Sequence, residues 1–391
     1  MKITKYEALG PLPDPFLFAD GRRVKSPADW EERKRELYAP VIGLQYGGMP
    51  PEPEFLEIDP LTVPDSPGRM NIWRVRTGTR KDPVSWSIYA HRPAGNGPWP
   101  VVIDGDLCYS CMQDPRTAEQ FLEKGIMLVA FNRDEIVPDT RNPKRTGNLY
   151  GTYPDLCFGA LAAWAWGYSR TLDALVRLGI ADLSSVTFTG LSRGGKAALL
   201  AGATDSRATI VCPEATCAGA GSCYRIHMEA ETSDGAVRRS ETLRDIVNAF
   251  PDWFGPELKQ YEDDEASLPF DSHMLKAMVA PRVLFDCEAE DDIWAGPVNA
   301  WMTDVAAREV WKLWGKEENV LWSWRKGGHD HLPEDFDMLI QVIERERHGT
   351  PLKSEKFMKT PFGEPELIFD WRGPGEGDAA FSGESPAKSF D

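Results

Sequence analysis

Positive charge is scarce in this sequence, and the shortage excludes a class of partners. The 391 residues carry 44 Lys and Arg against 61 Asp and Glu, a formal net charge of −17, and no basic run interrupts the acidic excess. The summed field repels a polyanion, so no nucleic-acid partner is expected. Long hydrophobic runs are missing too. No stretch approaches the roughly 20 apolar residues that cross a bilayer, so no membrane partner is expected. The opening MKITKYEALGPLPDPF contains no apolar run of the secretory kind, and the expectation is a cytoplasmic location, or a secreted one if the chain is a processed or trimmed form. Cysteine is sparse, odd in number at seven and dispersed, which argues for reduced thiols and against a disulfide scaffold. Cys108 and Cys111 form a CxxC, but no second CxxC or nearby His completes a zinc site, so no metal is expected. Cys217 and Cys223 share a Gly- and Ala-rich loop and could pair in an oxidising compartment. There is no internal repeat and no Gly-rich phosphate loop.

What is present is a globular composition, 42% apolar with 10% aromatic residues, enough for a sizeable core. Residues 1–70 are proline-rich, with one amphipathic stretch, SPADWEERKRELY (26–38), capped by Ser26 or Asp29 and closed by Pro40. They read as a lead-in that packs on the core. From about 71 the pattern changes to short apolar runs at 83–93, 100–106, 126–132, 185–190, 209–215, 282–291 and 320–328. Several are continuous rather than alternating, as expected of strands covered on both faces. Between them 118–125, 158–179, 194–203 and 298–315 have apolar positions at helical spacing. Alternation of this kind predicts an α/β fold with a mostly parallel sheet, spanning 71–348. Residues 349–391, rich in Gly, Pro and Ser apart from an apolar patch at Leu367–Trp371, read as a partly ordered tail.

The most informative segment is SVTFTGLSRGGKAALLAGA (185–203). A β-rich run ends at Gly190, Ser192 follows, Gly194 closes a GxSxG, and an alanine-rich helix begins. The nucleophile elbow is a strained strand-to-helix turn whose flanks must be Gly, and it lifts the Ser hydroxyl over a helix N-terminus where amide dipoles favour a developing anion. Serine needs a base, and in this chain order the acid and then the His follow the Ser. His329 comes straight after the run at 320–328, in a Gly-rich loop, and is the candidate base. His331 is its rival, with one of the two expected to be solvent-exposed. His273, in DSHMLKAMVAP, reads as a structural His on a helix. Two acids satisfy the order: Asp292, after RVLFDCEAED and blurred by Glu290 and Asp291, and Glu214, after the preceding strand. Both strand ends face the crevice at the carboxyl edge of the sheet, so both remain open.

Several segments together resemble the glucuronoyl esterases, carbohydrate esterases of the α/β-hydrolase fold, a three-layer sandwich. The likeness runs over roughly residues 12–345, in LPDPFLFADGRRV, YPDLCFGALAAWAWGYSRTLDAL, GLSRGGKAALLAGATDSR, ETLRDIVNAFPDWF, EAEDDIWAGP and GGHDHLPEDF. The resemblance implies that Arg193 helps to bind the oxyanion, that Lys196 contacts sugar hydroxyls, and that Glu241 and Trp294 hold the glucuronate ring. It also implies a triad acid at Glu214 or at Asp292. Trp253 reads as core. Leu191 stands where fungal members have a cysteine, so that disulfide is not expected. The implied activity is hydrolysis of the carboxyl ester of (4-O-methyl)glucuronate in glucuronoxylan or lignin–carbohydrate fragments, without metal or cofactor. Two alternatives are an acetyl or other carbohydrate esterase with the same triad, and an inactive carbohydrate-binding member.

Overall fold

Each of the seven apolar runs is a strand in the computed structural model, which describes residues 1–62, 70–108, 114–141, 145 and 148–374. Cys111, half of the CxxC, lies outside the described residues. In chain order the strands are β1 (Lys2–Ala8), β2 (Phe55–Pro60), β3 (Met70–Gly78), β4 (Pro83–His91), β5 (Trp99–Asp104), β6 (Met127–Phe131), β7 (Ala181–Leu191), β8 (Ile210–Glu214), β9 (Ile226–Glu231), β10 (Val237–Arg239), β11 (Val283–Ala289) and β12 (Val320–Arg325). The helices are α1 (Pro27–Leu37), α2 (Pro115–Leu122), α3 (Asn148–Thr152), α4 (Ala160–Arg177), α5 (Arg193–Thr204), α6 (Leu243–Ala249), α7 (Ser272–Ala277), α8 (Pro297–Trp311) and α9 (Pro333–His348).

Nine strands form one sheet in the order β12-β11-β8-β7-β5-β6-β4-β3-β2. The six from β12 to β6 are parallel, and β4, β3 and β2 run antiparallel to their neighbours. Every residue of β5, β8, β11 and β12 is buried, which is why their apolar runs are continuous. Successive side chains feed opposite faces. Val101 and Ile103 join one core cluster with α4, α5 and α7, whereas Val102 joins another with α2 and α9. The result is a three-layer sandwich. Strand order reverses at β5, so the chain segments leaving β5 and β7 diverge at the carboxyl edge and leave a crevice between them.

The lead-in is more structured than its proline content suggests. It supplies β1 and β2, and Phe16, Trp30 and Tyr46 are fully buried in the main core. Both strands lie at sheet edges and bury few side chains, so they carry little apolar signal. Ser26 caps α1, accepting from the Asp29 N–H at 3.2 Å. Pro40 does not close the coil, which continues as a π-helical turn over Tyr38–Leu44; a wider turn tolerates the missing N–H and the ring that break an α-helix. β1 pairs with β9 and β9 with β10 in a second, three-stranded sheet. At the other end Trp371 donates its indole N–H to the Leu12 carbonyl at 3.0 Å and packs on Phe16 and His273, so the apolar patch of the tail is tied to the lead-in. No helix among the described residues is long and apolar enough to cross a membrane.

Candidate active site

β7 ends at Leu191, Ser192 turns the chain, and α5 starts at Arg193. Ser192 has φ 58° and ψ −116°, a conformation that costs a non-glycine residue about 1–3 kcal/mol and persists only when its surroundings enforce it. Three contacts do so. The Ser192 N–H donates to the Glu214 carbonyl at 2.8 Å, the Leu191 N–H donates to Asp106 Oδ2 at 2.8 Å, and the Ser192 carbonyl accepts from the Lys196 N–H at 2.8 Å. The glycines are obligatory for a steric reason: a Cβ on Gly194 would lie 2.0 Å from Asp106 Oδ2, and one on Gly190 would lie 2.7 Å from the Gly194 backbone.

His329 follows β12, and its Nδ1 lies 2.5 Å from Asp292 Oδ2. Asp292 is buried, caps the turn Ile293–Ala295, and accepts from the Ala295 N–H at 3.4 Å. The imidazole is 39% exposed. No direct hydrogen bond joins it to the Ser192 hydroxyl among the described residues. Glu214 is placed elsewhere. It lies at the end of β8, buried, with Oε1 3.0 Å from His331 Nε2. Burial raises its carboxyl above the ordinary value, and the His331 imidazole pulls it back. His331 is buried, its ring 4.1 Å from that of Phe336, so the exposed member of the histidine pair is His329.

Arg193 sits at the end of a chain of alternating charges. Asp106 forms a buried ion pair with Arg133, Arg133 Nη2 lies 3.5 Å from Asp139, and Arg193 Nη1 donates to Asp139 Oδ2 at 2.5 Å. Trp253 belongs to the core, yet its indole N–H donates to Asp139 Oδ1 at 3.2 Å and the Arg193 guanidinium lies 5.0 Å from its ring. The Arg193 Nε is buried with no hydrogen-bond partner among the described residues. This leaves one donor uncommitted beside the first turn of α5.

Lys196 and Glu241 are both buried, and the Lys196 ammonium lies 5.9 Å from the Trp253 ring. Desolvation pushes the Glu241 carboxyl up to about 7, against the opposing pull of Lys196. Trp294 is 43% exposed, accepts the Glu241 N–H on its carbonyl at 3.0 Å, and is covered on one side by Arg239 at 5.1 Å. A buried cation and carboxyl beside an exposed indole form a surface suited to a polar ring with an apolar face. A cavity of about 660 Å³ is lined by Arg239, Thr242, Asp245 and residues 262–266, and by none of Ser192, Lys196, Glu241, Trp294 or His329.

Cys212, Glu214 and Cys287 bring one ligand-capable atom each within 4.8 Å of one another. Both thiols are buried, and burial raises them above the ordinary value. Cys217 and Cys223 are free and buried. His273 is buried on α7, with Nε2 2.9 Å from the Pro13 carbonyl, and burial lowers it to about 4.

A family model described as glucuronyl esterase, fungi, matches residues 75–315, well over half of the chain. The chain belongs to the glucuronyl esterase family. Among relatives, 4-O-methyl-glucuronoyl methylesterase 1 of Wolfiporia cocos is 33% identical over 315 residues, 78% of this chain and 72% of that one. Among solved structures, a carbohydrate esterase family 15 glucuronoyl esterase from Caldicellulosiruptor kristjansonii is 25% identical, with a TM-score of 0.82 over 93% of this chain and 97% of the other. A serine-to-alanine variant of the Sporotrichum thermophile glucuronoyl esterase, in complex with methyl 4-O-methyl-β-D-glucopyranuronate, is 25% identical with a TM-score of 0.72. It covers 90% of this chain and 91% of its own.

Against a glucuronyl esterase background, the groups that sequence reasoning missed are those that hold other groups. Asp106 and Asp139 follow strands without a motif of their own, and Arg325 looks like the end of an apolar run. The one available signal for Asp106 was its position after β5, beside the crevice where strand order reverses.

Proposed function

We propose that this chain is a serine esterase that hydrolyses the carboxyl ester of glucuronate or 4-O-methylglucuronate, releasing the alcohol to which glucuronoxylan or lignin–carbohydrate fragments are joined. Ser192 Oγ attacks the ester carbonyl carbon while its proton passes to His329 Nε2. Asp292 accepts the Nδ1–H, fixes the tautomer and stabilises the imidazolium. The tetrahedral oxyanion meets the Arg193 guanidinium and the first backbone amides of α5, so positive charge is set where negative charge develops. Collapse expels the alkoxide, which takes the proton from His329. Water, deprotonated by His329, then cleaves the acyl-enzyme and frees Ser192. Lys196 and Glu241 bind ring hydroxyls, and Trp294 packs on the C–H face of the sugar.

The observation that carries this reading is the convergence at one sheet edge of the strained Ser192, the His329–Asp292 pair at 2.5 Å and the Asp139-anchored Arg193. The methyl glucuronate complex of the S. thermophile relative supports the substrate class. Ser192→Ala should abolish release of methanol from methyl glucuronate while leaving far-UV circular dichroism unchanged. Persistent turnover in that variant rejects the assignment, and wild-type protein that cleaves acetylated sugars but not methyl glucuronate rejects the substrate.

A further inference from the structure

The loop that carries His329 contains a second histidine, His331, paired with a carboxylate of β8 that the proposed mechanism does not use. Glu214 takes part twice. Its backbone carbonyl accepts the Ser192 N–H at 2.8 Å, and its carboxylate lies 3.0 Å from His331 Nε2. One residue therefore touches the elbow that presents the nucleophile and the loop that presents the base. We propose that Glu214 and His331 form a clasp that fixes the distance between Ser192 and His329, and that both are positioning residues of the esterase while Asp292 orients the base. The inference rests on the reading of Ser192, His329 and Asp292 as the triad.

Two further observations support a held loop. The buried Arg325 guanidinium donates to the carbonyls of Lys326 at 3.2 Å and Gly328 at 3.0 Å, and also to that of Asp330, while its Nε donates to Asp335 at 2.9 Å. The loop thus curls around a fixed cation. Asp335 in turn accepts the Leu332 N–H at 2.8 Å and sits in the first turn of α9. His331 is pinned on its other side by Phe336. With 325 and 332 both anchored, the His331–Glu214 contact joins this held loop to the residue whose carbonyl holds the elbow.

The test uses the full chain, with methyl glucuronate and p-nitrophenyl acetate as substrates. Displacement of a base by about 1 Å costs roughly 100-fold in rate. His331→Ala and Glu214→Ala should therefore each lower kcat by about 10–100-fold on both substrates, with KM for methyl glucuronate within about two-fold. The double variant should fall no further than either single one, because both break the same clasp. His331→Gln, whose amide keeps a polar group within reach of Glu214 Oε1, should recover most of the loss. Glu214→Gln keeps an acceptor and the shape of the side chain; its kcat should stay within about ten-fold of wild type, whereas Asp292→Asn should fall by roughly 10³–10⁴. Losses that multiply in the double variant, no recovery in His331→Gln, or a Glu214→Gln loss matching that of Asp292→Asn would overturn the clasp. If the alanine variants fail to fold, the Gln variants still decide. Absence of glucuronate turnover in the wild type refutes the substrate reading instead, and leaves the clasp measurable on the acetate.

Discussion

Glu241→Gln should make the protein more stable and a poorer binder, and pH separates the two effects. Burial pushes the Glu241 carboxyl from its ordinary 4.5 up to about 7. Well below 4.5 both the folded and the unfolded chain hold this proton, and the group contributes nothing to pH dependence. As pH rises past that point the unfolded chain releases the proton and the folded one retains it. Stability therefore falls until pH exceeds about 7, where the folded form ionises too and the loss levels off. At about 1.4 kcal/mol per pH unit of separation, the total is about 3 kcal/mol. A glutamine has no proton to lose, so the variant should match the wild type near about pH 4 and exceed it by up to about 3 kcal/mol near about pH 8. Urea unfolding of both proteins at those two pH values gives the difference of differences. A variant-minus-wild-type stability that is the same at both would refute the argument. The same variant should bind methyl glucuronate more weakly, because hydrogen bonds from sugar hydroxyls to a carboxylate contribute roughly 1.5–3 kcal/mol each. A rise in KM of about ten-fold or more is expected.

Two other perturbations probe the frame around the nucleophile. Asp139→Asn removes the charge that anchors Arg193 at 2.5 Å, and kcat for methyl glucuronate should fall by roughly 10–100-fold with KM little changed; an unaltered kcat in steady-state assays would show that Arg193 needs no anchor. Gly194→Ala places a methyl group 2.0 Å from Asp106 Oδ2, so thermal unfolding should show a loss of roughly 1–3 kcal/mol. Activity should fall with it as Asp106 and the elbow shift, and an unchanged melting temperature would contradict the close approach.

The parts of the fold that were legible in the sequence are those where burial on both faces writes a continuous apolar run, as in VVID of β5 or VLFDCEA of β11. The edge strands β1 and β2 were not legible, because each buries little, and the partner of β1, β9, is remote in sequence. Ser192 was legible because the elbow demands glycine at two fixed offsets, a steric requirement visible in letters. Asp139 was not, because its role depends on Arg133, Arg193 and Trp253 arriving from three separate segments. Glu241 and Trp294 came through family resemblance alone. Their carboxyl and indole have no spacing rule of their own, and what marks them physically is burial for one and exposure for the other.

The two candidate acids, indistinguishable by chain order, separate once the sheet register is known. β8, β11 and β12 are adjacent and parallel, with Glu214 level with Cys287 and Ala289 level with Arg325. Asp292 lies three residues beyond Ala289 and His329 four beyond Arg325, so both emerge above the strand ends at similar height. Glu214 lies two residues below the Ala289 level, about 7 Å at the usual rise per residue, within the row of residues that the sheet buries. A histidine that leaves β12 directly meets Asp292; to meet Glu214 the chain must fold back. It does so at His331, after the turn that Arg325 imposes by gathering three carbonyls. The carboxylate above the edge can then serve a half-exposed base that exchanges protons with substrate. The one below it, raised by burial and paired with a buried imidazole, is suited to holding the loop in place. An enzyme that keeps both carboxylates can thus assign orientation of the base and placement of its loop to separate strands.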